Sequence, residues 1–206
     1  MKDVRTTIII DIENKTPEEI LKQADRSRRK NINKANSYGL VFKEADYKEW
    51  QDYYQIYSRI WKEGGVNPEP MQDLKKESYK LFVVKKDDKV LGGGLIEILE
   101  RGINFVAFAS LIEYQEMRVN DFLYWNSISW AINNNMKFVD LGGYQLNPKG
   151  HMVGINTFKE KWGGKIVHQQ IKGNFLYILG RKLIRKSRFA RWIWDRLKGR
   201  PVSKKR

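Results

Sequence analysis

The residues with most chemistry to offer lie in Gly154-Ile155-Asn156-Thr157-Phe158-Lys159-Glu160-Lys161-Trp162-Gly163-Gly164. A lysine held beside an aromatic ring on a short helix can stabilise the negative charge that develops during acyl transfer. The same spacing also has a plain reading, an amphipathic turn that buries Phe158 and Trp162 at i and i+4. A second group is Lys137-Phe138-Val139-Asp140-Leu141-Gly142-Gly143-Tyr144, a strand ending in an acid and two glycines. Ligands of α/β folds sit beyond the carboxyl ends of strands, and glycine lets another backbone approach. Asp140 is then a candidate hydrogen-bond acceptor or general base near an amine, the alternative being a cap and turn after an ordinary strand. The third group is the basic run from Arg26 to Ala35. On a helix it turns Ile32 and Ala35 inward and Arg28, Arg29 and Lys30 outward, either to grip phosphate oxygens or as a solvated face.

These groups need a scaffold, and the chain has the material for one. Of 206 residues, 41% are hydrophobic and 13% aromatic, too much core-forming material for a disordered chain. Thr6 to Ile12 is β-rich, and Thr16-Pro17-Glu18-Glu19 opens a helix that the pattern carries to about Tyr38, with Gly39 as its stop. Leu40 to Lys43 reads as a strand and Tyr47 to Glu63 as an aromatic amphipathic helix ended by Gly64-Gly65. After Asn67-Pro68-Glu69-Pro70 another helix is expected to about Tyr79. The period then changes to two, giving an antiparallel meander of Leu81 to Val84, Val90 to Leu99 and Ile103 to Ser110. Asn120 is the expected cap of a helix running to about Asn134, with Phe122, Trp125, Ile128, Ser129 and Ile132 on its buried face. Lys137 to Leu141 and Lys165 to Ile171 are further strands, with a short helix from Gly154 to Trp162 between them. The order predicts a mixed α/β domain around one sheet.

Absences narrow the chemistry. There is no cysteine, so disulfides, thiolate metal sites and cysteine nucleophiles are excluded, and His151 and His168 alone cannot build a metal site. Nucleotide-binding glycine loops, HExxH and GxSxG are absent. Gly92-Gly93-Gly94 falls inside a strand pattern, where it suggests a bulge or a close approach.

In this order and spacing, over residues 6–172, the segments resemble the FemAB-like aminoacyltransferases, which build the peptidoglycan cross-bridge within the wider N-acetyltransferase (GNAT) fold. The blocks that carry the resemblance are Arg26 to Ala35 with Gly39, Gly92-Gly93-Gly94 with Phe105 to Ser110, Leu123 to Ala131 with Phe138 to Gly143, and Gly154 to Lys159 with Gly163-Gly164. Trp162 replaces the usual phenylalanine of the last block. The resemblance is to the second of the two domains of bridge-forming enzymes. It implies a single GNAT-like domain over residues 1–172, with a central, mostly antiparallel sheet flanked by helices. It also implies transfer of an acyl or aminoacyl group to an amine of an envelope precursor. By the same resemblance Phe158 and Lys159 lie at the transfer site with Asp140, while Tyr144, Gly142 and Gly143 line the acceptor pocket. Arg28, Arg29 and Lys30 meet phosphates of acceptor or tRNA. No tightly bound cofactor or metal is implied; the donor is aminoacyl-tRNA or acyl-CoA. Tyr114 to Asn120 lacks the glycines of the usual CoA pyrophosphate loop, which favours aminoacyl-tRNA, although backbone amides at Val119, Asn120 and Asp121 can still meet a donor phosphate. The alternatives are an acyl-CoA-dependent N-acetyltransferase of an amino sugar or small amine, and a non-catalytic membrane- or RNA-binding protein of this fold.

The net charge of +15 is unevenly placed. Residues 181–206 hold twelve Lys and Arg against one acid, +11, whereas residues 1–180 hold 27 against 23, +4. Residues 173–206 read as a basic amphipathic helical tail that suits an anionic membrane surface, RNA phosphates or packing on the body. The charged start does not read as a signal peptide, and no stretch reaches the ~20 apolar residues of a membrane span. A cytoplasmic protein is expected, attached peripherally at the inner face of the membrane if the tail binds lipid.

Overall fold

The computed structural model describes residues 3–171. The chain divides into two compact units, residues 6–167 and a smaller unit of residues 1–5 with 168–206. The expected boundary at 172/173 and the tail lie outside the described residues. The elements are β1 (Asp3–Asp11), α1 (Pro17–Gln23), α2 (Arg26–Asn36), β2 (Val41–Glu44), α3 (Tyr47–Glu63), α4 (Met71–Leu74), β3 (Tyr79–Lys86), β4 (Lys89–Ile98), β5 (Gly102–Ser110), a 3-10 turn (Ile112–Met117), α5 (Val119–Asn133), β6 (Phe138–Gly143), α6 (His151–Glu160) and β7 (Lys165–Ile171). The strands form one seven-stranded sheet in the order β2-β3-β4-β5-β6-β1-β7. The pairs β2–β3, β3–β4, β4–β5 and β1–β6 are antiparallel, and β5–β6 is parallel. This is the mixed α/β architecture read from the sequence.

Strand alternation sends side chains to two cores, one on each face. Phe82, Val84 and Ile96 join Ile8, Ile20, Ile32, Leu123 and Ile128 on the face covered by α1, α2 and α5. Leu81, Val83 and Leu95 meet Tyr53, Ile56 and Tyr57 of α3 on the other. The three central glycines make room for rings. A Cβ on Gly93 would stand 2.6 Å from Tyr53 Cδ2, and one on Gly94 would stand 2.7 Å from the Phe108 ring. Tyr53 is fully buried and donates its hydroxyl to the Ala107 carbonyl at 2.9 Å.

Five readings of the sequence need correction. The first helix is two helices, because Asp25 accepts from the Ser27 amide at 2.8 Å and caps a fresh start. The helix after Pro70 lasts four residues, since Leu74 is its only buried side chain and the following Lys75-Lys76-Glu77 offers no stripe to bury. Asn120 does not cap α5: Arg118 does so in the left-handed conformation at φ 59°, with no side-chain bond. The buried face of α5 is also wider than read, comprising Leu123, Tyr124, Ser127, Ile128 and Ala131 as well as Phe122, because the helix packs on the sheet and against α2 at once. Finally, α6 begins at His151, three residues before the expected start.

Glu49 fixes the edge of the sheet to α3. It closes a capping box with Asp46 and meets Lys43 at 2.9 Å and Lys85 at 2.8 Å. Burial pushes its carboxyl up, but Lys85, the Asp46 amide and Lys43 outweigh that and bring it down from 4.5 to about 2. A depressed carboxyl stabilises the fold above its unfolded value, and this contribution fades as pH falls from about 4.5 toward 2. Urea titrations across that window are expected to show a loss of stability that Glu49→Gln largely lacks. At neutral pH, Gly93→Ala is expected to lower the urea midpoint through about 1–3 kcal/mol of overpacking. Gly143→Ala, whose Cβ would meet nothing within 4 Å, is expected to stay within about 0.5 kcal/mol of wild type.

Candidate active site

Parallel neighbours need a crossover, and α5 supplies it between β5 and β6. The two strands stay in register only from Gly102 to Asn104 against Phe138 to Asp140. Beyond that, β5 remains paired with β4, with a bulge where Leu95 faces Ala107 and Ile96 faces Phe105, while β6 continues along β1. A cleft of about 530 Å³ opens where they part. Its walls include Trp61 of α3, Phe105 and Phe108 of β5, Tyr124 of α5, and Phe158 and Lys159 of α6.

Lys159 is buried, at 8% exposure, yet lies on the cleft wall. Its ammonium donates to the Gly143 carbonyl at 2.9 Å. Gly142 permits this approach: its φ is +77°, and a Cβ there would meet the Phe105 carbonyl at 2.7 Å. Phe158 is pinned by rings, with Tyr124 edge-on at 4.8 Å and Trp162 at 6.3 Å. Tyr124 in turn meets Phe105 and Phe108, and its burial pushes its hydroxyl well above the usual tyrosine range.

Behind Phe158 lies the basic helix, differently arranged from the sequence reading. Ile32 and Ala35 do point inward, but Arg28 is buried as well, its guanidinium 4.7 Å from the centre of the Phe158 ring and 2.7 Å from Asp121 Oδ1. Arg29 caps the end of α1, donating to the carbonyls of Ala24 and Lys22. Only Lys30 of the three is exposed. Burial raises the Asp121 carboxyl above its ordinary value, against the opposing pull of Arg28 and the Asn31 amide. Of the three residues expected at the donor, Val119 is buried, Asp121 is turned to Arg28, and Asn120 lines the cleft.

The strand-end group also serves a different purpose from the one expected. Asp140 is buried, accepts from the Gly142 amide at 2.8 Å and bonds the Thr7 hydroxyl, which also donates to the Gly142 carbonyl at 2.8 Å. It shapes the turn that presents the Gly143 carbonyl to Lys159 and does not line the cleft. Tyr144 donates to Glu160 at 2.5 Å, and that bond raises its own ionisation; it too lies off the cleft wall. The structure therefore brings Phe158, Lys159 and Asn120 together and leaves Asp140, Gly142, Gly143 and Tyr144 behind them. His151, Tyr124 and Trp61 line the cleft without having been singled out from the sequence. The signal for His151 was its spacing of three from Gly154 and eight from Lys159, which puts all three on one helical face once the helix is begun early enough.

Among the described residues no three His, Asp or Glu side chains cluster to hold a metal ion, and no helix is long and apolar enough to cross a membrane. The FemAB family model matches residues 1–63, the stretch that contains the first of the four sequence blocks. No curated protein matches the sequence significantly. The crystal structure of FemX superposes with a TM-score of 0.70 at 15% identity, over 79% of this chain and 59% of the FemX chain. L-PGS from Bacillus licheniformis gives 0.62 at 13% identity, over 89% of this chain and 65% of its own. The C-terminal domain of an Agrobacterium fabrum protein assigned as a lysylphosphatidylglycerol synthetase gives 0.61 at 13% identity, over 89% of this chain and 66% of its own. The chain thus spans about three fifths to two thirds of these structures, and at such identities the likeness is one of fold. The chain thus resembles the FemAB family in sequence over residues 1–63 and shares the FemX fold over 79% of its length.

Proposed function

We propose that this protein transfers an acyl group, and specifically an aminoacyl group from aminoacyl-tRNA, to an amine of a cell-envelope precursor. The observation that carries the reading is the buried Lys159 ammonium on the wall of the cleft between β5 and β6, held by the Gly143 carbonyl. In such a transfer the acceptor nitrogen attacks the ester carbonyl carbon, the carbonyl oxygen becomes an oxyanion, and the bond to the 3′ ribose oxygen breaks as the amide forms. A fixed cation in a largely apolar cleft stabilises the oxyanion without having to reorganise at the moment of reaction. Phe158, clamped between Arg28 and Tyr124, keeps the α6 backbone and hence Lys159 in register with the cleft.

Two features favour aminoacyl-tRNA over acyl-CoA. The first turn of α5, where a pyrophosphate would sit, carries the Asp121 carboxylate and follows Arg118 in place of a glycine loop. Trp61, tilted against Tyr57 with ring centres 4.3 Å apart and lining the cleft, offers a face to a terminal base. The name lysylphosphatidylglycerol synthetase, given to one fold neighbour, couples an aminoacyl group with an envelope lipid in that protein and supports the same class of cargo here. The +11 carried by residues 181–206 supports a further element of the proposal, attachment to an anionic membrane where such precursors lie.

The test offers radiolabelled aminoacyl-tRNA and acetyl-CoA in parallel, each with an envelope-precursor extract. Labelled amide is expected from aminoacyl-tRNA; label from acetyl-CoA alone would overturn the donor assignment. Lys159→Met, which keeps the stem but not the charge, is expected to reduce turnover by about 10²–10³-fold with an unshifted melting temperature. Unimpaired turnover would remove Lys159 from the chemistry.

A further inference from the structure

Amide formation leaves a proton to be removed from the attacking nitrogen. Asp140, the acid the sequence offers for this task, is buried against Thr7 and Gly142 and does not line the cleft. We propose that His151 is the proton acceptor, paired with Lys159 along one face of α6; this rests on the transferase reading above.

Three observations converge on it. First, among the described residues the titratable side chains lining the cleft are Tyr124, His151 and Lys159, with no carboxylate among them. Tyr124 has its ionisation pushed well up by burial, and Lys159 serves as the cation, so neither is suited to take a proton near neutrality. Histidine is the side-chain type whose charge ordinarily changes in that range. Second, His151 is exposed, and its ring has no hydrogen-bond partner among the described residues, so the imidazole is open to a substrate. Lys149 is the charged residue that precedes it in the chain. Third, the turn of α6 that follows His151 leaves room at one position. Gly154, one turn after His151, also lines the cleft, and a Cβ there would meet nothing within 4 Å. The His151 and Lys159 backbones are separated by a rise of about 12 Å. Lysine leans back toward the helix N-terminus, so a reacting centre lying over Gly154 stands between the two groups.

In the step this implies, a neutral acceptor amine attacks the ester carbonyl carbon and the oxyanion forms beside Lys159. His151 takes one proton from the nitrogen. As the tetrahedral centre collapses, the carbon–oxygen bond to the 3′ ribose breaks. The imidazolium returns its proton to the leaving oxygen directly or through water, which leaves the amide, a free 3′ hydroxyl and neutral His151.

The experiment measures log(kcat/KM) against pH for the full chain, with radiolabelled aminoacyl-tRNA and the envelope-precursor extract. Wild type, His151→Gln and His151→Ala are compared, with Lys159→Met as the reference for a dead site. Both His151 variants alter an exposed side chain and should melt like wild type. The expected result is a loss of about 10²–10³-fold in both, recovery of His151→Ala by added imidazole, and a change in the acid limb. The wild-type slope should be two, one proton from the acceptor amine and one from the imidazole, and His151→Gln should show a slope of one. A His151→Gln variant with wild-type rate and slope, alongside an inactive Lys159→Met, would overturn the role of His151 while leaving the transferase reading intact. No turnover by wild type with either aminoacyl-tRNA or acetyl-CoA would overturn both.

Discussion

Everything at the site depends on the parting of two parallel strands. Had β5 and β6 stayed paired beyond Asn104 and Asp140, their backbones would have closed the sheet and left nowhere for a substrate. The bulge that lets Leu95 face Ala107 keeps β5 with β4, and the turn built by Asp140, Thr7 and Gly142 keeps β6 with β1. Beyond the parting, β4 satisfies one edge of β5 and β1 one edge of β6, while the edges that faced each other open toward the cleft. The same turn aims the Gly143 carbonyl at Lys159, so the geometry that opens the cleft also anchors its cation.

A second constraint acts from behind. Arg28 and Asp121 form a buried charge pair between α2 and α5, and Arg28 also covers the Phe158 ring of α6. Burying two charges is expensive, and the pair's 2.7 Å approach is not accompanied by hydrogen-bond geometry at Nη1 or Oδ1. A hydrophobic pair would pack at lower cost but would not tie three helices together at the residue beside Lys159. Perturbed carboxyls of this kind gather where position matters more than stability.

Much of the scaffold was legible in the sequence because its signals were local. The meander strands, the Tyr47–Glu63 helix and the Phe158-Lys159 block are legible from alternation, amphipathic periodicity and spacing. What was misread depended on tertiary partners. Arg28 has no local reason to be buried; Asp121, ninety-three positions along the chain, and the Phe158 ring hold it there. Asp140 ends a strand as a ligand-binding acid would, yet Thr7, on a strand the turn signals do not connect to it, claims it for the fold. His151 escapes the sequence reading because Gly154 reads as the start of the helix, and a helix capped by Gly150 has no side-chain cap to announce it.

The central claim is that the acyl carbonyl is held beside Lys159 between the parted strands. The most direct measurement is a crystal structure of the full chain with an aminoacyl-adenosine analogue whose labile ester is replaced by an amide. The account predicts the analogue in the cleft, its carbonyl oxygen within hydrogen-bond distance of Lys159 Nζ and its acyl carbon over Gly154. An analogue bound elsewhere, with the space beside Lys159 empty, would contradict it.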